Sequence, residues 1–368
     1  MAGSKVYYID MRVSGKSLLD KMEGMLRAAG LLGIDYKEKF VALKIHFGEP
    51  GNLSYIRPNY AARVAALVRA EGGKPFLADC NTLYKGRRSN AVDHLLAASE
   101  NGFNRLGVGC DVIIADGLRG TEYREVEIGL KHVKKAKIGS AIADADVVIS
   151  LNHFKGHEMT GFGGALKNLG MGSGSIGGKL EMHSDSKPEI KREACVGCAA
   201  CVKNCAHGAV ALDAERKASI DYDLCVGCGQ CIAVCRYDAA VPTWNAVSAQ
   251  EKIAEYALAV VKGKPSFHIN FVMNVSPECD CWGNNDAATV PDLGILASAD
   301  PVALDRASYD LVNAAPVMKN SIAASGAAAG GHQPDVFRAV HPEVDGRIGL
   351  AYAESIGLGT EKYELVRM

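Results

Sequence analysis

The chain has 368 residues, which exceeds one ordinary domain and allows a substantial buried core. Its 41 Lys and Arg residues nearly balance 42 Asp and Glu residues without forming a basic tract, which excludes a nucleic-acid partner. The amino-terminal stretch MAGSKVYYIDMRV lacks an apolar signal region, and no apolar run is long enough for a bilayer, so we expect no membrane span. The 12 cysteines then indicate the reducing cytoplasm.

The first half of the chain alternates strand patterns with helix patterns. Helices are predicted at Ser17–Ala29, Arg57–Ala70 and Asn90–Ser99. Strands are predicted at Lys5–Ile9, Phe40–Ile45, Lys74–Ala78, Val112–Ala115 and Ala145–Leu151. A Gly-rich segment, GFGGALKNLGMGSGSIGG, then predicts a short helix that opens into a flexible loop. This alternation favours an α/β fold, with a mostly parallel sheet and helices on both faces.

Two cysteine-rich arms follow, CVGCAACVKNC and CVGCGQCIAVC, each with C-x₂-C-x₂-C-x₃-C spacing. This spacing is typical of [4Fe-4S] ligands, and in bacterial two-cluster proteins the fourth cysteine of each arm ligates the other arm's cluster. The stretch resembles a bacterial dicluster ferredoxin, although the usual proline after each arm is replaced by Ala206 and Arg236. The crossed rule assigns one cluster to Cys195, Cys198, Cys201 and Cys235, and the other to Cys225, Cys228, Cys231 and Cys205. Structural zinc and a secreted disulfide framework are the alternatives.

The strand–helix alternation resumes after the second arm. Predicted elements are a helix at Ala246–Val261, strands at Phe267–Val275 and Leu293–Ala297, a helix at Pro301–Val312 capped by Asp300, two further helical patches, and a strand at Tyr363–Val366. We therefore expect one discontinuous α/β domain, residues 1–185 and 244–368, with an inserted ferredoxin-like α+β module at residues 186–243. Insertion at a surface loop costs little, because loop-closure entropy grows slowly with length.

Ligands of open α/β sheets bind outside the carboxyl ends of the strands. Polar residues at these positions suggest one pocket on one rim. They are Lys44, His46 and Glu49; Asp79, Asn81, Thr82, Tyr84 and Arg87; His153, Lys155 and His157; Glu278, Cys279, Asp280 and Cys281; and Ser298 and Asp300. The residues predicted to bind a substrate are Lys44, His46, Asp79, Asn81, Tyr84, Arg87 and Asn168. A structural salt bridge is the alternative for Arg87.

Among these strand ends, the segment HFKGH gives the most specific indication of a functional site. His153 and His157 could share a metal, but Gly156 between them favours a loop. Lys155, His157 and Lys167 beside several glycines suit a carboxylate or phosphate, since glycine frees backbone N–H groups for anions. We predict His153, Lys155, His157 and Lys167 as catalytic groups, with solvated or hydrogen-bonded loop residues as the alternative.

The sequence Cys279-Asp280-Cys281 has three interpretations. Side chains two residues apart in a strand point to the same side, so the two thiols could share a metal ion. They could equally act as a redox pair, or be buried inert thiols. A metal site would need a further ligand, for which Cys80 and the two histidines of the HFKGH segment are the candidates.

Several segments together resemble a known family. They are KIHFGEPGN, DCNTLYKGRR, HFKGHEMTGFGGALKNLGMG, CDCWG and LGILASADPVALDRASYD. They look like the family of domain of unknown function 362, in its version fused to a dicluster ferredoxin. The resemblance implies the fold and the iron–sulfur clusters, and it carries no assigned catalytic residue.

We expect an oxidoreductase that receives electrons from a soluble redox partner protein through two [4Fe-4S] clusters. The acceptor at the α/β rim would be a small anionic substrate, a flavin or an additional metal. No G-x-G-x-x-G follows a strand, which argues against a nicotinamide site. The alternatives are a non-enzymatic electron carrier or accessory protein and, third, a metal chaperone. An oxygen-poor habitat fits such clusters, and homo-oligomerisation is left open.

Overall fold

The computed structural model of the protein describes residues 3–84, 86–183, 187–225, 230–237, 239–242, 246–327 and 335–368. The strands are β1 (Ser4–Asp10), β2 (Phe40–Ile45), β3 (Lys74–Asp79), β4 (Asp111–Ile114), β5 (Tyr123–Glu127), β6 (Lys135–Gly139), β7 (Val147–His153), β8 (Lys155–His157), β9 (Gly161–Gly163), β10 (Pro188–Ile190), β11 (Val210–Leu212), β12 (Ala218–Ile220), β13 (Ala240–Pro242), β14 (Ser266–Val272), β15 (Gly294–Ser298) and β16 (Tyr363–Arg367).

The helices are α1 (Leu18–Ala28), α2 (Pro58–Ala70), α3 (Ala91–Glu100), α4 (Arg105–Val108), α5 (Ser140–Ala143), α6 (Ala165–Ser173), α7 (Ile176–His183), α8 (Ala200–Asn204), α9 (Gln230–Ala233), α10 (Ala246–Val261), α11 (Pro301–Asn313), α12 (Ile322–Ala327), α13 (Val336–Val340) and α14 (Arg347–Ser355). A short 3₁₀ helix covers Leu31–Gly33.

Eight strands form one sheet, in the order β16-β1-β15-β14-β7-β2-β3-β4. Neighbouring strands run parallel except at β15, which is antiparallel to both β1 and β14. Strands β2, β3, β7 and β14 therefore bring their carboxyl ends to one edge of the sheet, whereas β15 ends at the opposite edge. The mostly parallel α/β fold expected from the sequence is confirmed.

Helices cover both faces of this sheet, because successive strand residues point to opposite sides. On one face, Val41 of β2 belongs to an apolar cluster with Met22 of α1 and Val64 of α2. On the other face, Ala42 belongs to a second cluster with Leu169 of α6 and with residues of α10 and α11. None of the helices within the described ranges combines the length and apolar character that crossing a bilayer requires.

Two helix starts follow the capping chemistry expected from the sequence. The Ser17 hydroxyl accepts a hydrogen bond from the backbone N–H of Asp20, whose carboxylate accepts one from the Ser17 N–H. The Asp300 carboxylate accepts hydrogen bonds from the N–H groups of Val302 and Ala303, 2.9 and 3.0 Å long. The prediction that Asp300 caps the helix after it is confirmed.

The Gly-rich segment differs from its prediction. A flexible loop was expected after a short helix, but the segment forms β9, α6 and α7 in succession. Its glycines permit close packing instead. A Cβ atom at Gly170 would lie 2.1 Å from the Ile253 carbonyl oxygen of α10, so only glycine lets α6 and α10 approach this closely. Within the described part of the carboxyl-terminal tail there are likewise three helices, α12, α13 and α14, where two were expected.

Two strand-end expectations on the second half of the chain are wrong. Strand β14 ends at Val272, so Cys279-Asp280-Cys281 lies in a turn rather than in a strand. Because β15 is antiparallel, Ser298 and Asp300 lie at the opposite edge from the other strand ends. There the Ser298 hydroxyl donates to the backbone oxygen of Lys5, and Asp300 accepts from Ser4. Alternation patterns predict a strand but not its direction.

Residues 187–242 form a small unit with its own apolar cluster. The structure describes this unit except for residues 226–229 and 238. Its first and last strands, β10 and β13, pair so that Pro188 lies opposite Pro242, which brings the entry and exit of the chain together. Strands β11 and β12 form an antiparallel hairpin, and α8 and α9 complete the unit. The cluster contains Cys195, Val210, Ala218, Cys231, Ala239 and Ala240. Cys228 lies outside the described residues.

Candidate functional site

A cavity of about 110 Å³ lies at the carboxyl ends of β2, β3 and β7. His46 follows β2, Asp79 ends β3 and His153 ends β7. Further walls come from the β8–β9 hairpin, α6, α7, α10 and the turn at residues 279–282. The cavity brings together the predicted residues His46, Asp79, Tyr84, His153, Lys155, His157, Lys167, Asn168 and Cys281.

Lys44 lies beneath the cavity rather than in its wall. Its Nζ is 3.0 Å from Asp79 Oδ1 and donates to Asn168 Oδ1 at 2.6 Å. Burial lowers the pKa of Lys44, while the Asp79 carboxylate acts in the opposite direction. Lys44 therefore holds Asp79 and Asn168 in place, and its buried side chain does not reach the cavity to contact a substrate.

Two other predicted substrate ligands also lie elsewhere. The Asn81 side chain and backbone N–H both donate to Asp116 Oδ1 at 2.9 Å, which is a structural role. Arg87 is at the surface in an ion pair with Glu100. Its neighbour Arg88 lines the cavity instead and is 1% exposed. Nothing in a single sequence distinguishes these adjacent arginines.

Arg88 is compensated by two buried carboxylates. Its Nε donates to Glu49 Oε2 at 2.8 Å, its Nη1 lies 3.6 Å from Asp79 Oδ2, and it also donates to the Tyr84 hydroxyl. Burial would raise the pKa of Asp79, but the charges of Lys44 and of the nearby basic groups hold it well below its ordinary value. Sequence reasoning named Glu49 as a strand-end residue but missed Arg88.

His153 is held on both sides of its ring. Its Nδ1 lies 2.8 Å from Asp280 Oδ2, and its Nε2 lies 2.9 Å from the Met273 carbonyl oxygen. Both partners accept hydrogen bonds, so both nitrogens donate only when the ring carries two protons. The positive charges of His153 and Lys155 outweigh burial and keep the pKa of Asp280 below its ordinary value. The contact between His153 and Asp280 fixes the turn that carries the two cysteines.

His157 has the opposite arrangement. Its Nδ1 accepts hydrogen bonds from the N–H groups of Met159 and Thr160, at 3.0 and 3.3 Å. Burial holds the pKa of His157 well below its ordinary value, so the ring is neutral with its proton on Nε2, 3.7 Å from Glu158 Oε1. Burial and the charge of Glu158 also raise the pKa of Glu278 to about 9, whereas the pKa of Glu158 lies below its ordinary value.

The two thiols of the turn form the third polar group. Cys279 Sγ and Cys281 Sγ lie 3.1 Å apart. Lys167 Nζ is 3.5 Å from Cys279 Sγ, and His46 Nε2 is 3.3 Å from Cys281 Sγ. His46 Nδ1 accepts from the Gly48 N–H, which leaves the imidazole proton on Nε2, directed at Cys281.

Helix α6 is anchored so that Lys167 and Asn168 reach the cavity. The Asp305 carboxylate accepts from the N–H groups of Ala165 and Leu166, at 2.7 and 2.9 Å, and from Asn270 Nδ2 at 2.8 Å. Burial raises the pKa of Asp305 to about 6. The only signal for this role in the sequence is an aspartate inside an otherwise apolar helix face.

Lys155 is a cavity cation whose Nζ makes no direct ion pair in the described part of the chain, although its charge acts at longer range on Asp280, Asp305 and Cys279. Its side chain is buried and lines the cavity, yet it makes no hydrogen bond or ion pair with another described residue. The other cavity cations, Arg88, Lys167 and Lys179, each contact a protein acceptor. An anionic ligand group would find its counter-charge at Lys155.

The small unit at residues 187–242 contains a second, narrower cavity. It is lined by Cys195, Cys198 and Cys201 of the first arm and by Cys235 of the second arm. The two helices that flank the unit in sequence, α7 and α10, both reach the main cavity, through His183 and through Ala249 and Ile253. Over the described ranges, no three His, Cys, Asp or Glu side chains are placed to hold a single metal ion together.

Comparisons with known proteins place this geometry in a family context. The thylakoid-associated protein sll1697 of Synechocystis is 31% identical over 169 residues, which is 45% of this chain and 48% of that protein. This chain thus spans about half the length of the curated relative it matches.

Two solved structures are distant likenesses. The lactate racemase apoprotein of Thermoanaerobacterium thermosaccharolyticum is 12% identical, with a TM-score of 0.36, over 74% of this chain and 51% of that one. A Thermotoga maritima protein is 11% identical, with a TM-score of 0.39, over 82% and 58%. TM-scores this low do not indicate a shared function. The domain of unknown function DUF362, in contrast, matches residues 41–310, and the protein therefore belongs to the DUF362 family.

Proposed function

We propose that this protein is an iron–sulfur electron-transfer protein whose acceptor site is the cavity at the sheet edge. Residues 187–242 would hold two [4Fe-4S] clusters. The observation that carries the proposal is that three cysteines of the first arm and Cys235 of the second line one cavity. This is the crossed ligand set of a bacterial dicluster ferredoxin.

The donor chemistry of this unit fits such clusters. Backbone N–H groups of Ala218, Ala209 and Ala240 donate to the Sγ atoms of Cys195, Cys205 and Cys235, at 3.3, 3.3 and 3.5 Å. N–H···S hydrogen bonds to ligating sulfurs are a main determinant of cluster potential, because they stabilise added negative charge. The second set would comprise Cys205, Cys225, Cys228 and Cys231. When bound, the clusters would supply single electrons.

The cavity residues suit reduction of a small anionic acceptor. Lys155 offers an anionic group a buried ammonium that no described side chain contacts directly. His157 presents a neutral ring with a proton on Nε2, whereas both nitrogens of His153 are engaged by Asp280 and a carbonyl oxygen. We therefore assign to His157 the donation of a hydrogen bond to the bound acceptor, through Nε2–H, and to His153 a positioning role. A flavin or an added metal as acceptor stays a prediction.

A second candidate function is a carrier or accessory protein that docks a partner enzyme. Val196, Leu224 and Tyr237 lie within the cysteine unit and are each about half exposed. Exposed apolar side chains around a redox unit are typical of transient docking surfaces. In that case the soluble partner, and not the cavity, would receive the electrons.

Metal analysis of protein purified without oxygen tests the proposal. We expect about eight irons with matching sulfide per chain, and about four in a Cys235→Ser variant, because one of two four-iron sites loses a ligand. Cys110→Ser is the matched control, since Cys110 is buried in the core of the α/β sheet. Zinc in place of iron, or iron content unaffected by Cys235→Ser, would contradict the proposal.

Turnover of an added acceptor separates the two candidates. Reductive titration of the iron-loaded protein alone should take up one electron per cluster in either case. Added anionic acceptor should be reduced catalytically if the cavity is the site, and a Lys155→Met variant should lose this turnover while its clusters bleach normally. Turnover that survives Lys155→Met but depends on an added protein partner would favour the carrier.

A further inference from the structure

We propose that Cys279 and Cys281 form a redox-active dithiol in the cavity wall, which cycles through an intramolecular disulfide and reduces a small disulfide-bearing substrate. The inference rests on the proposed function only for the source of its electrons. Four observations carry it: the separation of the two sulfurs, the rigidity of their turn, their charged neighbours and their unequal exposure.

The turn is fixed through Asp280 and places the two sulfurs next to each other. The Asp280 carboxylate is bound to His153 at 2.8 Å, and its carbonyl oxygen accepts from the Glu49 N–H at 3.0 Å. The two Sγ atoms, 3.1 Å apart, need only a small approach to reach disulfide bonding distance, which is about 2.05 Å. The two contacts of Asp280 thus keep the thiols next to each other.

The charged neighbours favour one thiolate in this pair. The hydrogen bond from Cys281 and the positive charges of Lys167 and Lys155 outweigh burial and lower the pKa of Cys279 to about 6. Cys80 and Cys110 are also buried, and burial raises the pKa of both. Inert buried thiols of the same chain therefore behave in the opposite way.

The two cysteines differ in access. Cys279 is 1% exposed, whereas Cys281 is partly exposed and lines the cavity. Cys281 is thus the sulfur that meets a ligand, and Cys279 is the buried sulfur behind it. The cavity of about 110 Å³ is of the size that suits a small molecule, and Lys155, which no described side chain contacts directly, favours a carboxylate on that molecule.

The reaction balances as thiol–disulfide exchange. Cys281 passes its proton to the Cys279 thiolate and attacks one sulfur of the substrate, whose S–S bond breaks to release one thiolate. The Cys279 proton then moves to that thiolate, and Cys279 attacks Cys281 Sγ. The second substrate thiolate leaves with a solvent proton, and the Cys279–Cys281 disulfide remains. Two electrons from the electron-transfer function proposed above, and one proton, restore the starting state.

Disulfide mapping tests the dithiol without relying on activity. The full chain is purified without oxygen, equilibrated in mixtures of reduced and oxidised dithiothreitol, quenched with acid, alkylated and mapped by peptide mass. We expect the Cys279–Cys281 peptide to lose two hydrogens and resist alkylation as the mixture becomes more oxidised, while Cys110 stays alkylated. Both cysteines alkylated in every mixture would overturn the proposal.

Two serine variants test the order of attack. Incubated with the anionic disulfide dithiodiglycolate, Cys279→Ser should accumulate an adduct of half the reagent on Cys281, because no second sulfur resolves it. Cys281→Ser should form far less adduct, since Cys279 is buried. Cystamine, a cationic disulfide of similar size, should react at least tenfold more slowly than dithiodiglycolate. Equal labelling of the two variants, or faster reaction of cystamine, would overturn the assignment.

These readouts separate the inference from the proposed function. Disulfide formation and adduct trapping in a preparation that binds no iron would leave the dithiol standing and remove only its electron source. Filled, reducible clusters with a pair that never oxidises would remove the dithiol alone.

Discussion

The cysteine unit and the cavity rim bring reactive side chains together in opposite ways. In the unit, Cys195, Cys198 and Cys201 come from one short stretch and only Cys235 is distant in sequence. At the rim, His46, Asp79, His153, Lys167 and Cys281 come from five separate segments. The unit leaves Cys198 exposed, whereas Asp79 and His153 at the rim are buried and contact oppositely charged or polar neighbours.

Because the two regions are assembled differently, substitutions should damage them in different ways. Local spacing sets the cysteines of the unit, so a single change there should remove one proposed cluster ligand and leave the large sheet intact. The rim depends on buried ion pairs that span the fold, where removing one partner leaves an uncompensated charge. The two regions should therefore respond to different variants.

The largest effect is expected from Asp79→Asn. Asp79 compensates the buried Lys44 and Arg88, so loss of its charge should lower the free energy of unfolding by about 3–5 kcal/mol. Chemical denaturation followed by circular dichroism measures this, with iron content expected to stay unchanged. Asp35→Asn is the control, because its ion pair with Lys39 is exposed and should contribute nothing measurable. If Asp79→Asn lost iron as well as stability, the two regions would not be independent of each other.

Gly156→Ala should have the next largest effect. An added Cβ would lie 2.1 Å from the Pro277 carbonyl oxygen and would force the β8–β9 hairpin away from the cysteine turn. We expect a cost of about 1–3 kcal/mol, as for other overpacked sites, and weaker anion binding at Lys155. Gly24→Ala, in α1 with open space around it, should instead be stabilising by roughly 0.5–1 kcal/mol. Thermal unfolding of both variants measures the two effects. Melting temperatures that change by similar amounts in the same direction would contradict the packing argument.

His268 should give the sheet a pH dependence that the cysteine unit lacks. Burial lowers the pKa of His268 to about 3, while the unfolded chain titrates at about 6.5. The unfolded state therefore binds the proton more tightly, and stability present above pH 6.5 is lost progressively as the pH falls toward 3. Between pH 7 and pH 5 the loss from this group is roughly 2 kcal/mol.

Unfolding of wild type and His268→Gln at both pH values measures this contribution. In the variant, the free energy of unfolding should fall less between pH 7 and pH 5 than in the wild type, whatever the variant's absolute stability. His268 Nδ1 lies 2.8 Å from Ser150 Oγ, so the variant retains a polar group for that partner. An unchanged slope would show that other groups carry the pH dependence.

The smallest effect is expected from Arg87→Ala. Arg87 pairs with Glu100 at the surface, so neither stability nor anion binding should change measurably. Arg88→Ala should lower both, because Arg88 is buried against Glu49 and Asp79 in the cavity wall. Calorimetric titration with a small dicarboxylate compares the two. A binding defect in Arg87→Ala would restore the role that the sequence suggested for it.

Much of the architecture was predictable because its signals are local. Strand Phe40–Ile45 and helix Ala246–Val261 appear with their predicted bounds, since apolar periodicity and turn residues suffice to define them. Membership in the DUF362 family was expected from short motifs and is confirmed by the match over residues 41–310. The carboxyl-end rule also grouped His46, Asp79 and His153 correctly around one cavity.

The sequence by itself determined the alternation of strands and helices, the repeated cysteine spacing and the polar strand ends, because these depend on neighbours a few residues apart. Only the tertiary structure decided that β15 runs antiparallel, which removes Ser298 and Asp300 from the rim. It also decided that Arg88 and not Arg87 faces the cavity, and that Lys44 lies beneath it. Such outcomes depend on strand direction and on the pairing of distant charges, and neither leaves a local pattern in the chain.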